Sequence, residues 1–174
     1  MAMKAQIKAS LGWDWDDGVR DSGRLEYART LLDGNGDNQA EAVWHAESRT
    51  LAAGESDTFD LAALERAVLG ATLTVSLTAV KALLIVNESS DGGQLLIGDA
   101  AADQWSEPFG ADGDCAIVPA DSALLLCNRQ SGWPIDANNR NLKIAASAGS
   151  VTYSIAVLGT TTPAGSGSGS GSGV

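Results

Sequence analysis

The sequence predicts an all-β fold: an antiparallel β-sandwich, jelly-roll-like, followed by a flexible Gly/Ser C-terminal tail. Three observations carry this reading. Apolar and polar residues alternate with period two along most of the chain, which sends side chains to opposite faces of extended strands. Turn residues recur roughly every eight to fifteen positions, and 20 of the 174 residues are glycine. About ten strand-like runs follow one another without long helices between them, which favours stacked antiparallel sheets over a parallel sheet. A jelly roll, which folds about eight strands into two sheets, suits that count.

Lys4–Leu11 places Ala5, Ile7, Ala9 and Leu11 on one face and Lys4, Gln6, Lys8 and Ser10 on the other, a half-buried strand. Leu25–Leu32 and Glu41–Glu47 flank Asp33-Gly-Asn-Gly-Asp-Asn38, and together they read as a hairpin with a longer loop. Thr58–Leu61 reads as a short strand. The next six residues, Ala62-Ala-Leu-Glu-Arg-Ala67, are the one helical candidate, a turn or two at most. Strands are then expected over Ala71–Leu77, Val80–Val86, Gln94–Ile97, Cys115–Val118, Ala123–Cys127, Leu142–Ala145 and Val151–Leu158. The wholly apolar runs Leu83–Val86 and Ala123–Leu126 imply strands covered on both faces, with a second subunit able to supply the outer cover. No linker divides the chain, so residues 1–162 are expected to form a single sandwich domain and 163–174 a Gly/Ser coil able to act as a tether.

The net charge of −11 argues against direct nucleic-acid binding, which needs clustered Lys and Arg to displace counterions. The longest apolar run, Ala82–Val86, is far below the ~20 residues that span a bilayer, so no membrane association is expected. The alternating N-terminal stretch lacks the apolar block of a signal peptide, which points to synthesis in a reducing cytoplasm. There Cys115 and Cys127 are expected as free thiols buried like small hydrophobes, with a cross-strand disulfide as the other possibility.

Candidate chemistry is thin. His45 is the single histidine and shares its strand face with Glu41, Val43 and Glu47; no G-x-S-x-G elbow accompanies it, so a surface histidine between acids is the simpler reading. Asp33-Gly-Asn-Gly-Asp37 matches the first five positions of a calcium loop, but Asn38 and Trp44 stand where an EF-hand needs Gly and Glu. A non-EF calcium site on Asp33, Asn35 and Asp37 competes with a plain tight loop. Trp13-Asp-Trp-Asp-Asp-Gly18 gathers Asp14, Asp16 and Asp17 beside two indoles. That composition suits glycosidase carboxylates or a sugar-stacking surface, yet a strand end entering a turn explains it equally. No catalytic, cofactor or metal residue is assigned, and the chain is not expected to be an enzyme.

Two stretches carry a resemblance. Val80-Lys-Ala-Leu-Leu-Ile-Val-Asn-Glu-Ser-Ser90 leads to Gly92-Gly-Gln-Leu-Leu-Ile-Gly98, and Asn141-Leu-Lys-Ile-Ala145 leads to Gly149-Ser-Val-Thr-Tyr-Ser-Ile-Ala-Val-Leu-Gly-Thr160. A strand ending in Asn, a turn, an L-x-I-G strand and a closing G-x-V-T-Y-x-I-x-V-x-G-T resemble structural proteins of tailed bacteriophages. Residues 72–162 carry the likeness. It implies a virion protein similar to jelly-roll capsid decoration (cement) proteins: a homotrimer on the outer capsid surface, with the major capsid protein as partner, stabilising the assembled shell. The alternative is a tail or fibre module that binds a host-surface glycan through Trp13, Trp15 or Trp105.

Overall fold

A computed structural model describes residues 3–161, and the expected Gly/Ser tail over 163–174 lies outside the described residues. The described residues form fourteen strands: β1 (Lys4–Asp16), β2 (Arg20–Asp33), β3 (Gln39–Ala40), β4 (Ala42–Leu51), β5 (Ser56–Asp60), β6 (Leu64–Val68), β7 (Ala71–Val75), β8 (Ala79–Asn87), β9 (Gln94–Gly98), β10 (Cys115–Val118), β11 (Ser122–Cys127), β12 (Trp133–Pro134), β13 (Asn141–Ala148) and β14 (Val151–Thr160). No helix occurs among the described residues.

Eight of these strands build the sandwich, in the orders β4-β14-β8-β11 and β5-β13-β9-β10. The chain crosses from one sheet to the other in β4→β5, β8→β9, β10→β11 and β13→β14, so strands joined in sequence hold the same rank in the two layers. All pairings within both layers are antiparallel. This is the jelly-roll-like wrap that the strand count predicted.

Alternation decides what fills the middle. Leu83 and Ile85 of β8, Ile155 and Val157 of β14 and Trp44 of β4 point inward, towards Leu95 and Ile97 of β9 and Leu142 and Ile144 of β13, and all are buried. Trp44 packs on Phe59 of β5 with ring centroids 5.2 Å apart, and its Nε1 donates to the Glu65 carbonyl at 3.0 Å. Under the long 99–114 loop, Trp105 meets Phe109 and Trp133 edge to face.

Residues of the stretches 80–98 and 141–160 have structural work. The buried Asn87 side chain donates to the carbonyls of Gly93 at 2.9 Å and Val118 at 3.1 Å and accepts from the Ser89 amide at 3.1 Å, closing one end of the sandwich. At Gly159, beside a register shift between β14 and β8, an added Cβ would fall 2.3 Å from the Ala79 carbonyl oxygen. Only glycine tolerates that approach.

Three expectations are corrected. The helical candidate over 62–67 is a turn followed by a strand: Asp60 accepts from the amides of Ala62 and Ala63, and Leu64–Val68 then pairs with Ala71–Val75. Leu25–Leu32 and Glu41–Glu47 are not hairpin partners. β2 pairs with β1 along its full length, whereas β4 pairs with β14, because only β4 carries an inward face that fits the sandwich core. Both cysteines are free, but Cys115 is exposed rather than buried, since it falls on the outward side of edge strand β10, and Cys127 is half-buried.

Candidate functional site

The feature outside the sandwich is the β1-β2 hairpin. Thirteen consecutive pairs run from Lys4↔Leu32 to Asp16↔Arg20, closed by the turn Asp17-Gly18-Val19 with Gly18 at φ +77°. Directly opposed residues share a face. One face therefore carries Ala5/Leu31, Ile7/Arg29, Ala9/Tyr27, Leu11/Leu25, Trp13/Gly23 and Trp15/Asp21, and the other carries Lys4/Leu32, Gln6/Thr30, Lys8/Ala28, Ser10/Glu26, Asp14/Ser22 and Asp16/Arg20, polar but for Leu32 and Ala28. The predicted separation of the two indoles from Asp14 and Asp16 holds.

Only the base of the apolar face is covered. Ile7 and Leu31 are buried against Ala82 of β8 and Leu158 of β14, with Leu125 and Cys127 of β11 packed beside them. The Tyr27 hydroxyl lies 3.6 Å from the Cys127 sulfur, at the point where the hairpin leaves the body. From Ala9 to Tyr27 every residue except Gly23 is exposed, so the hairpin projects as an arm. Leu11 is 67% exposed, Leu25 69%, Trp13 45% and Trp15 57%. Eight residues per strand beyond the base make the arm roughly 25 Å long.

The tip is preorganised. Trp13 lies over its cross-strand partner Gly23, where an added Cβ would be 2.4 Å from the indole Cζ2, and its Nε1 donates to Asp21 Oδ2 at 3.1 Å. An aromatic ring laid across a strand glycine shields backbone that would otherwise face water. The arm is thus an amphipathic ribbon with a fixed indole near its tip.

The other sequence candidates are not brought together. His45 lies on the outward face of β4, half-buried, with Nδ1 3.3 Å from Glu47 Oε1. Asp16 faces Arg20 at 3.8 Å on the exposed side of the arm. Trp105 and Trp44 are buried, and Trp133 is half-buried, so neither Trp105 nor those two indoles join Trp13 and Trp15 in a surface cluster. No group of His, Cys, Asp and Glu among the described residues has metal-holding geometry.

The calcium-like loop holds an ammonium group. Lys81, almost completely buried, donates from Nζ to the Gly36 carbonyl at 3.2 Å and to that of Gln130. Asn38 is held by Arg129 through both backbone and side chain, so the 33–38 loop is locked to the 128–132 loop. Burial pushes the Lys81 pKa down, and Asp37 opposes this. A single Lys inside the apolar run 80–86 was the available sequence signal for this latch.

A second charged network spans the two sheets. Asp57 of β5 accepts from Arg49 Nε of β4 at 2.9 Å and from the buried Tyr153 hydroxyl of β14 at 2.6 Å. Burial favours the neutral carboxyl, but the two hydrogen bonds and the Arg49 charge outweigh it and hold the Asp57 pKa below its ordinary value. Burial and Asp57 both push Tyr153 up. The network ties β5 of one sheet to β4 and β14 of the other.

No family model, curated protein or solved structure matches the chain.

Proposed function

We propose that this chain is a bacteriophage virion structural protein, a capsid decoration protein that binds the outer shell and stabilises it. The observation that carries this reading is the projecting hairpin with its preorganised and uncovered apolar tip on a jelly-roll-like body. Such an arm binds a partner and offers no set of groups for chemistry. A protein that binds only the assembled lattice stabilises it by mass action, without catalysing a step. The partner is the major capsid protein, reached on the outer surface of the particle, and the decoration unit is a homotrimer.

The two exposed indoles on one face of the arm favour a second reading, a tail or fibre module whose Trp13 and Trp15 stack on a host-surface sugar. One experiment separates the two. Purified full-length protein is incubated with undecorated capsids and, separately, with host-surface polysaccharide. Decoration predicts saturable capsid binding and a higher capsid disruption temperature. Binding to the polysaccharide alone would reverse the order of the readings, and binding to neither rejects both.

A further inference from the structure

β1 is an edge strand along its whole length. Its 13 residues pair with β2 on one side, without a bulge, and among the described residues they make no backbone hydrogen bond on the other. A row of unpaired N–H and C=O groups is a template for a further strand. The even-numbered face runs from Lys4 and Lys8 at the base to Asp14 and Asp16 towards the tip, all four exposed. The strand is therefore neutral as a whole but opposite in sign at its two ends. The odd-numbered face, from Ala5 to Trp15, is wholly apolar. It is turned towards the sandwich, since Ile7 is buried against Ala82 and Leu158. An open cleft of about 400 Å³ lies between Ala5, Ile7 and Lys8 of β1 and the outer sheet residues Val43, Leu84 and Ala156. No residue of β2 lines it, so the cleft opens along the free edge of β1.

We infer that β1 of one copy pairs antiparallel with β1 of a second copy, about a two-fold axis at Ser10, giving a four-stranded ribbon in the order β2-β1-β1-β2. Charge selects this occupant and its direction. Lysine on an edge strand ordinarily discourages a second strand. In an in-register parallel pair Lys4 would meet Lys4 and Asp16 would meet Asp16. In the antiparallel pair Lys4 lies opposite Asp16 of the other copy, Gln6 opposite Asp14 and Lys8 diagonal to Asp14, and symmetry repeats each contact. Ser10 is the midpoint of Lys4–Asp16, so this register alone pairs the whole strand. Residues 9–27 hold two arginines against five acidic residues, which makes the tips acidic. The antiparallel order sends the two tips to opposite ends, each beside Lys4 and Lys8 of the other copy. The apolar rows agree with the same register. Trp13 and Trp15 of one copy come opposite Ile7 and Ala5 of the other, on the face turned towards the sandwich, where the cleft at Val43, Leu84 and Ala156 receives them. This contact is separate from the trimer proposed above. It joins two copies through their arms whether or not their bodies also associate, and it needs no capsid.

Sedimentation and native mass spectrometry of the full chain, with no capsid present, test it. The wild type should associate as its concentration rises. Lys4→Glu with Lys8→Glu, and separately Asp14→Lys with Asp16→Lys, should each weaken self-association about 10-fold or more, by setting like charges opposite each other. An equimolar mixture of the two double variants should associate at least as tightly as wild type, because an acidic strand then meets a basic one. Disulfide formation reads the register in proteins that also carry Cys115→Ser and Cys127→Ser. On oxidation Ser10→Cys should link to itself, whereas Asp16→Cys should link to Lys4→Cys on mixing and not to itself. Ser10→Cys keeps every charge of the strand, so it tests the pairing even where a charge reversal disturbs the hairpin. A wild type that stays monomeric at all concentrations overturns the inference. So does association that either double variant keeps unchanged, or a mixture that fails to regain it. A Ser10→Cys protein that forms no link, or Asp16→Cys linking to itself as readily, overturns it as well.

Discussion

At the residue scale, the Arg49–Asp57–Tyr153 network sets a pH dependence whose sign is fixed. The folded-state pKa of Asp57 is lowered, so its contribution is present above the ordinary carboxylate value, about 4, and is lost as pH falls through the folded value. Tyr153 is raised, so its contribution is present below about 10 and is lost as pH rises beyond that point. Asp57→Asn keeps the shape but removes the charge that pairs with Arg49. At neutral pH we expect it to destabilise by about 1–3 kcal/mol, since a half-buried guanidinium loses its charged acceptor and keeps only a neutral one. The difference from wild type should shrink as pH falls below about 4 and disappear once pH has fallen through the lowered folded value, where wild-type Asp57 is also neutral. Urea unfolding across that range checks it, and a constant difference would mean that the charge is irrelevant. Asn87 and Gly159 show why single residues of the stretches 80–98 and 141–160 stand out in the sequence. Each answers a local demand, carbonyls to satisfy or a carbonyl in close approach, that few other residues meet.

At the element scale, the sequence marks strands far better than it marks their partners. Alternation located β8, β9, β10, β11 and β14 to within a residue or two, because an inward apolar row is a local property. Pairing is a property of the whole fold, so β2 and β4 read as neighbours although they belong to different sheets. The face of the arm was equally legible, with Trp13 and Trp15 opposite Asp14 and Asp16. That nothing covers this face was not, because alternation looks the same on a buried ribbon and on a projecting one. The false helix over 62–67 has a related cause: Ala, Leu, Glu and Arg favour helix, but the Asp60 turn and the pairing with β7 override that preference. The β6-β7 hairpin contains its own local conflict. Its two-residue turn is Leu69-Gly70, with φ of 49° and 83°, both in the left-handed region. Glycine suits that geometry and leucine does not, while Asn-Gly is the favoured pair. Leu69 is fully exposed, so Leu69→Asn removes no packing. We expect it to stabilise by about 1 kcal/mol, seen as a higher midpoint in thermal unfolding. An unchanged or lower midpoint would show that the turn does not limit this hairpin.

At the scale of the whole molecule, the body and the arm are held by different means. The sandwich has a continuous core contributed by both sheets, whereas the distal arm has only its own two-strand ladder and a few cross-strand pairs. An isolated two-stranded ribbon is marginal in water, and the arm's anchor is the small cluster at Ile7 and Leu31. Stability and binding therefore separate along the chain. Removing residues 12–24 and closing Leu11 to Leu25 with Asn-Gly keeps that anchor and deletes the indoles. We expect the thermal midpoint of the shortened protein to stay within about 2 °C of wild type, because no core residue is lost. Backbone amides should follow the same division in hydrogen exchange: slowest in β8, β9, β13 and β14, fastest from Ala9 to Tyr27. A midpoint lowered by more than about 5 °C would mean that the arm is part of the folding unit. Equal protection of arm and sandwich in the monomer would say the same by a second route. With neither result, the sandwich folds and holds without help from the arm beyond its base.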